Sequence, residues 1–249
     1  MSSPEPAPRL LTIDDIERAA AAELAAYRAV VAHLPYEPKG ILYSEMFFFC
    51  LCARAARAAR IVESGRARGQ STLLLAACFA DRPILSLEYD ERSPDVPVAA
   101  ARLAGRSNVE LRFGDAMRVL PRIVRPGDVV LIDGPKGSRA LRLALRILAR
   151  GHAPMVFLHD VGRGSPERRF LEARLPSTLY SDDPRFARLA HTLDVQARET
   201  IPAGHRWEKD GAPLGYGYTL ACLQRTAKTN YRTAWCAAVL DGLLQRAAR

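Results

Sequence analysis

From residue 60 onward the chain alternates between two kinds of segment, and that alternation limits the fold more than any other feature. Short, mostly apolar runs stand at 60–64 (RIVES), 84–88 (ILSLE), 109–113 (VELRF), 128–133 (DVVLID) and 154–159 (PMVFLH). Helical periodicity fills the gaps at 70–80, 95–105, 115–123 and 138–150. Strands this apolar need cover on both faces, which parallel sheets receive from crossover helices. Each crossover is expected to be right-handed. The sequence therefore predicts an α/β chain: a doubly wound, Rossmann-like sheet, mostly parallel, with helices on both faces.

Two helices are expected ahead of the first strand. Thr12 is placed to cap one, with Asp14 and Asp15 in its first turn, and Pro35 ends it. SEMFFFCLCARAARAA reads as the second. Residues 1–59 then form a short leader and an N-terminal cap, and 60–249 form the α/β unit, together one structural domain. After residue 160 the pattern loosens. Ser165 is placed to cap the helix of SPERRFLEARL, and GYGYTLACLQ (215–224) reads as a late strand, antiparallel at the sheet edge. Near the C-terminus Tyr231, Trp235, Val239, Leu240, Leu243 and Leu244 form a helical stripe, expected to dock on the core, with a homodimer contact as the alternative.

Composition narrows the partners. No run of 18 apolar residues occurs, so no membrane-spanning helix is expected, and MSSPEPAPRLL lacks the basic-then-apolar pattern of a secretion signal. The expected location is the cytoplasm. The five cysteines, Cys50, Cys52, Cys78, Cys222 and Cys236, fit no zinc spacing and are expected to be buried thiols. The net charge of +9 raises nucleic acid as a partner. Yet the basic side is almost all arginine, spread through alanine-rich helices, and the four lysines are Lys39, Lys136, Lys209 and Lys228. That dispersion describes a solvated surface and argues against a nucleic-acid stripe.

In an open parallel sheet, ligands sit beyond the carboxyl ends of the strands. After the first strand comes Glu63-Ser64-Gly65-Arg66-Ala67-Arg68-Gly69-Gln70-Ser71. Its E-x-G-x-x-x-G spacing differs from the pyrophosphate loop G-x-G-x-x-G. An acid at that strand end would repel a pyrophosphate and suits a cationic amine. The second strand ends in Glu88, an acceptor for both hydroxyls of a ribose. The third ends at Phe113-Gly114-Asp115-Ala116, where Asp115 is able to meet an adenine amine or simply cap the next helix. Each acid alone reads as a surface residue; three at successive strand ends point to one ligand.

VESGRARGQST, LEYD, FGDA, LIDGPKG and FLHD, in that order across about residues 60 to 160, resemble the class I S-adenosylmethionine-dependent methyltransferases. Within that class the chain looks nearest to small-molecule O-methyltransferases of the catechol, caffeoyl-coenzyme A and macrolide-sugar types. The resemblance implies that Glu63, Gly65 and Gly69 line the methionine part of S-adenosylmethionine and that Ser71 lies near its carboxylate. Glu88 would take the ribose, and Asp115 with Ala116 the adenine. Ser44 and Glu45 are weaker candidates for cofactor or substrate contact.

The resemblance also implies the chemistry of the fourth and fifth strand ends. Asp133 and Asp160 stand where metal-dependent relatives hold a divalent cation, and magnesium is the ion expected there. Lys136 matches the general-base lysine of the catechol type, with His159 as the other base. The catalytic set is therefore Asp133, Lys136 and His159. One position departs: Val161 stands where the catechol type has an asparagine ligand. Arg163, Arg168 and Arg169 are expected in solvent, and Trp207 and Tyr216 beside the acceptor pocket. The expected partner is a small-molecule acceptor. An NAD-dependent oxidoreductase and a nucleic-acid-associated or non-catalytic module on the same fold are the competing readings.

Overall fold

A computed structural model describes residues 9–37, 40–195 and 219–247, the side chains of 243–247 excepted. Helix α1 (Ile13–Val31) and helix α2 (Tyr43–Ala55) lead into the alternation. Then follow β1 (Arg60–Ser64), α3 (Gln70–Cys78), β2 (Ile84–Glu88), α4 (Asp95–Leu103), β3 (Val109–Phe113), α5 (Ala116–Ile123), β4 (Asp128–Ile132), α6 (Ser138–Arg150) and β5 (Met155–Leu158). The remainder is α7 (Pro166–Arg174), β6 (Leu179–Tyr180), α8 (Pro184–Ala190), a 3₁₀ turn (His191–Asp194), β7 (Ala221–Gln224) and α9 (Tyr231–Ala247).

The strands form one seven-stranded sheet in the order β3-β2-β1-β4-β5-β7-β6. Its first five are parallel, and β7 pairs antiparallel with both β5 and β6. The predicted mostly parallel sheet with an antiparallel edge is what the chain folds into. The two-residue β6, unread in the sequence, lies outside β7 and completes that edge. At the opposite edge, β3 is largely exposed, which explains why VELRF carries Glu110 and Arg112 in mid-strand.

The strand order reverses between β1 and β4, whose neighbours lie on opposite sides. Such a switch point opens a crevice at the carboxyl ends of the two strands.

Alternating side chains supply a core on each face. One cluster joins Ile61, Val129, Leu131 and Phe157 of the sheet to Ile16, Tyr27, Phe47, Phe48 and Phe49 of the first two helices and to Phe186 of α8. The other joins Val62, Val130, Ile132 and Val156 to Leu141, Leu145 and Leu148 of α6, Leu171 of α7 and Tyr231 of α9. The N-terminal helices thus share a core with the sheet rather than standing apart. Thr12 caps α1 as expected, and Asp15 completes the capping box by accepting from the Thr12 backbone N–H at 2.9 Å.

Three expectations change. On α9 the buried face is Tyr231, Ala234 and Ala238, while Trp235 and Leu240 are exposed. α9 thus docks on the core as expected and through the expected Tyr231, with Ala234 and Ala238 unforeseen; Val239 is half-buried, and the side chains of Leu243 and Leu244 lie outside the described residues. Arg168 is buried, not solvated: its guanidinium meets Asp182 at 3.1 Å and Glu172 at 2.6 Å and lies 3.3 Å from the Tyr180 ring centre. Arg163 also bonds Asp182, whereas Arg169 is exposed. Among the cysteines, Cys50, Cys52 and Cys222 are buried, Cys78 is half-buried and Cys236 is exposed. Trp207, Tyr216, Lys39, Lys209 and residues 215–218 lie outside the described residues. No helix of the described residues is long and apolar enough to cross a membrane.

Candidate active site

The crevice at the switch point is a cavity of about 390 Å³. Its wall takes Ser64 and Gly65 from the end of β1, Glu88 and Tyr89 from β2, Gly114, Asp115 and Ala116 from β3, and Pro135, Lys136 and Arg139 from the segment after β4. Gly65, Glu88, Asp115, Ala116 and Lys136, all singled out from the sequence, therefore face one space.

Gly65 is where the β1 and β4 loops touch. It holds a left-handed φ of 89°, and a Cβ there would stand 2.3 Å from the Gly134 nitrogen. Only glycine permits both the conformation and the contact. Gly69 serves differently: it precedes α3 with φ 81° and packs against Ala99, outside the cavity wall.

Glu88 ties the β1 loop to β2. Its carboxylate accepts from the Ala67 N–H and from its own neighbour's, Tyr89, both at 2.7 Å. Each carboxylate oxygen keeps a free lone pair. Asp115 caps α5 by accepting from the Met117 N–H at 3.0 Å, so the capping reading of this residue holds, and it lines the cavity as well.

Glu63 and Ser71 do not line the cavity; they lie buried just behind it. Glu63 is fully buried, and its Oε2 accepts from Thr72 at 2.5 Å and from Ser86 at 2.6 Å. Burial pushes this carboxyl up, and the hydroxyls of Ser71, Ser86 and Thr72 pull it back. Its Oε1 is buried without a hydrogen-bond partner among the described residues. Arg66, which carried no signal beyond a basic residue in a loop, is also buried. It donates to the Ser86 carbonyl at 2.9 Å and lies 5.2 Å from the Phe113 ring centre.

A polar cluster adjoins the cavity at the ends of β4 and β5. Asp133 follows β4; His159 and Asp160 follow β5, and Asp160 holds a left-handed φ of 61°. His159 Nδ1 lies 2.6 Å from Asp133 Oδ1, and its Nε2 lies 3.2 Å from Glu45 Oε2. Lys136 Nζ bonds Asp133 Oδ1 and lies 2.6 Å from Asp160 Oδ2. Glu45, on the first turn of α2, is almost wholly buried and also accepts from the Leu42 N–H. Ser44 beside it gives its backbone N–H to Asp194.

The charges of this cluster hold one another. Burial alone would push Asp133 up, but His159 and Lys136 outweigh it and keep the carboxyl well below its ordinary range. Burial alone would pull His159 down, but Asp133 and Glu45 raise it well above the usual imidazole value. Lys136 is raised as well, burial opposing Asp133 and Asp160. These directions favour an imidazolium donating to Asp133 and Glu45 and a lysine ammonium bridging Asp133 Oδ1, the oxygen His159 also meets, and Asp160 Oδ2.

Asp133, His159 and Asp160 each offer a ligand atom within 4.8 Å of the others. Their donor chemistry, two carboxylates and an imidazole, fits a divalent cation. Val161 contributes nothing there, since its side chain is buried in the apolar cluster beneath β5.

Comparison with known proteins found no matching family model. A catechol O-methyltransferase of Mycobacterium tuberculosis is 32% identical over 122 residues, 47% of this chain and 54% of that protein. A catechol O-methyltransferase of Niastella koreensis is 33% identical over 112 residues, 42% of this chain and 51% of that protein. Among solved structures, cofactor-bound Rv0187 from MTB aligns with a TM-score of 0.46 and 23% identity, covering 88% of this chain and 100% of that one. The chain spans about half the length of the curated relatives it matches, and over that half it is similar to catechol O-methyltransferases.

Proposed function

We propose that this chain transfers the methyl group of S-adenosylmethionine to a hydroxyl of a small molecule. The observation that carries this reading is the single cavity at the switch point, with Glu88 and Asp115 on one side and Lys136 on the other. The donor set suits the cofactor. The Glu88 carboxylate offers lone pairs to ribose hydroxyls, and Asp115 and Ala116 open α5 where an adenine edge would lie. Bound there, the cofactor supplies an electrophilic sulfonium methyl.

The protein's share is alignment, desolvation and proton handling. Lys136 is the one member of the catalytic set that lines the cavity, and its side chain is half exposed. As the ammonium that Asp133 and Asp160 favour, it donates to the acceptor oxygen and orients it; to take the hydroxyl proton it must first give its own proton to solvent away from those carboxylates. Asp133 and Asp160 fix its position. His159, already donating to Asp133 and Glu45, positions Asp133 and does not serve as the base. A divalent metal between these acids would lower the pKa of the acceptor hydroxyl.

Calorimetry with S-adenosylhomocysteine and NADH, followed by methyl transfer assays on catechols, tests the reading. Binding of the homocysteine compound and methylation of a dihydroxy aromatic are expected. Tight NADH binding with no response to S-adenosylhomocysteine would overturn it in favour of an oxidoreductase.

A further inference from the structure

We propose that the outer side of α5 and α6 is a docking face for the phosphate backbone of a nucleic-acid duplex.

In the sequence, Arg118, Arg122, Arg125, Arg139, Arg142, Arg146 and Arg150 look like dispersed cations; folding gathers them. The last four lie on α6 at steps of three and four residues, which sets them on one stripe. Leu141, Leu145 and Leu148 turn the other side of that helix into the core. Arg118 and Arg122 stand four apart on α5, and Arg125 lies just past its end. Both helices start at the carboxyl end of a strand, so they run side by side in one direction. They adjoin: Leu120 shares the core cluster with Leu141, and Arg146 donates across to the Met117 carbonyl at 3.4 Å. Arg142 is half-buried, and the other six arginines are exposed. The stripe begins at the cavity, whose wall includes Arg139.

These cations are not neutralised by the chain itself. Between residues 116 and 150 the acids are Asp128 and Asp133. Asp128 is buried against Arg60, and Asp133 is held by His159 and Lys136. Among the described residues, Arg118 is the one arginine of the seven with an ion pair, to Asp115 at 3.8 Å. Elsewhere arginines meet acids: Arg68 and Arg102 share Glu37, Arg163 and Arg168 share Asp182, and Arg185 reaches Asp14. A face that keeps this much positive charge is complementary to a polyanion.

Its side chains also indicate which polyanion. A guanidinium is a planar fork that grips phosphate oxygens two at a time. The exposed large apolar side chains of the described residues, Trp235, Leu240, Leu111 and Phe113 among them, all lie off α5 and α6. The face therefore offers nothing to insert into a lipid layer and no ring on which a single strand could stack its bases. A duplex needs neither. From Arg139 to Arg150 the stripe runs about 16 Å, the rise of eleven helical residues. A duplex passes about ten phosphates over that length.

Docking here is independent of the methyl-transfer reading, and binding is measured directly. A fluorescently labelled DNA duplex of about 20 base pairs is titrated with the full chain, following anisotropy, at salt rising from about 50 mM. Binding is expected at the lowest salt, with log K falling against log salt at a slope of about −4 or steeper. The native protein's slope needs no variant to be read. Arg122→Ala/Arg146→Ala/Arg150→Ala is expected to bind at least about 10-fold more weakly, with a slope shallower by about 3. Arg18→Ala/Arg106→Ala/Arg188→Ala removes the same charge from exposed positions on α1, α8 and the loop before β3. It is expected to stay within about 3-fold of the native protein. Thermal unfolding of both variants checks that they fold. No duplex binding at the lowest salt, an equal loss in the two variants, tighter binding of a single strand of the same length, or binding to phosphatidylserine vesicles but not to the duplex would overturn the face.

Discussion

His159 joins the end of β5 to helix α2 through a 3.2 Å contact between its Nε2 and Glu45 Oε2, across 114 residues of sequence. Its other nitrogen holds Asp133 at 2.6 Å, so one buried imidazolium links the N-terminal cap to the ends of two central strands. Glu45→Gln removes the charge from this link while keeping the shape. A loss of about 1–3 kcal/mol is expected, the cost of weakening a buried charge-assisted bond. Urea unfolding of metal-free protein checks it; an unchanged midpoint would show that the contact carries no stability.

The same link fixes a pH dependence. The folded pKa of His159 is raised, so its contribution is fully present below the unfolded value near 6.5 and is lost as the pH rises through the folded value. The folded pKa of Asp133 is depressed, so its contribution is present above the unfolded value near 3.8 and is lost as the pH falls through the folded value. Both act in full between those two unfolded values. The stability advantage of the native protein over His159→Gln, measured in EDTA, should therefore be greatest in mildly acidic buffer and shrink toward pH 9. An advantage that grows with rising pH would contradict the assignment of an imidazolium.

Gly65 should tolerate no side chain. Alanine there meets the Gly134 nitrogen at 2.3 Å and must hold φ near 89°. The left-handed strain alone costs about 1–3 kcal/mol, and relief of the clash must part the β1 and β4 loops. Gly65→Ala is expected to unfold at lower temperature and to lose S-adenosylhomocysteine binding. Gly69→Ala, whose Cβ would stand 3.3 Å from Ala99, shares the φ penalty but not the backbone collision, and its loss should be smaller.

The sheet and the cavity wall were legible because both follow from residues close in sequence. An inner strand announces itself as an unbroken apolar run, and an acid that ends such a run, as at Glu88 or Asp133, is placed at the carboxyl edge by the strand itself. What the sequence hid depends on distant partners. Glu45 carried only a weak signal, since nothing local distinguishes it from a first-turn acid until His159 meets it. Arg66 and Arg168 looked like surface cations, and their burial depends on Phe113 and Ser86 in one case and Asp182 in the other. On α9 the apolar bulk of Trp235 and Leu240 stood out in the sequence, whereas Ala234 and Ala238 make the buried face with Tyr231.

Lys136 should separate chemistry from binding. It lines the cavity but makes its ion pairs with Asp133 and Asp160, away from Glu88 and Asp115. Lys136→Met is expected to lower kcat by about 10²- to 10⁴-fold, the usual share of a general base. Affinity for S-adenosylhomocysteine should stay within about 2-fold.

Glu88 should show the converse. Its carboxylate lies on the cavity wall and is anchored by two backbone N–H groups rather than by a cation, so its charge remains available to a ligand. Glu88→Ala removes a charge-assisted acceptor worth about 1.5–3 kcal/mol, which weakens S-adenosylhomocysteine by roughly 10- to 150-fold. It also frees the Ala67 N–H, so part of the loss will come from a looser β1 loop. Glu88→Gln separates the two effects, because a neutral amide oxygen still accepts from Ala67 while the negative charge is gone. Calorimetry should place Glu88→Gln between the native protein and Glu88→Ala. Native-like affinity in both variants would remove β2 from the cofactor site and with it the placement of the ribose.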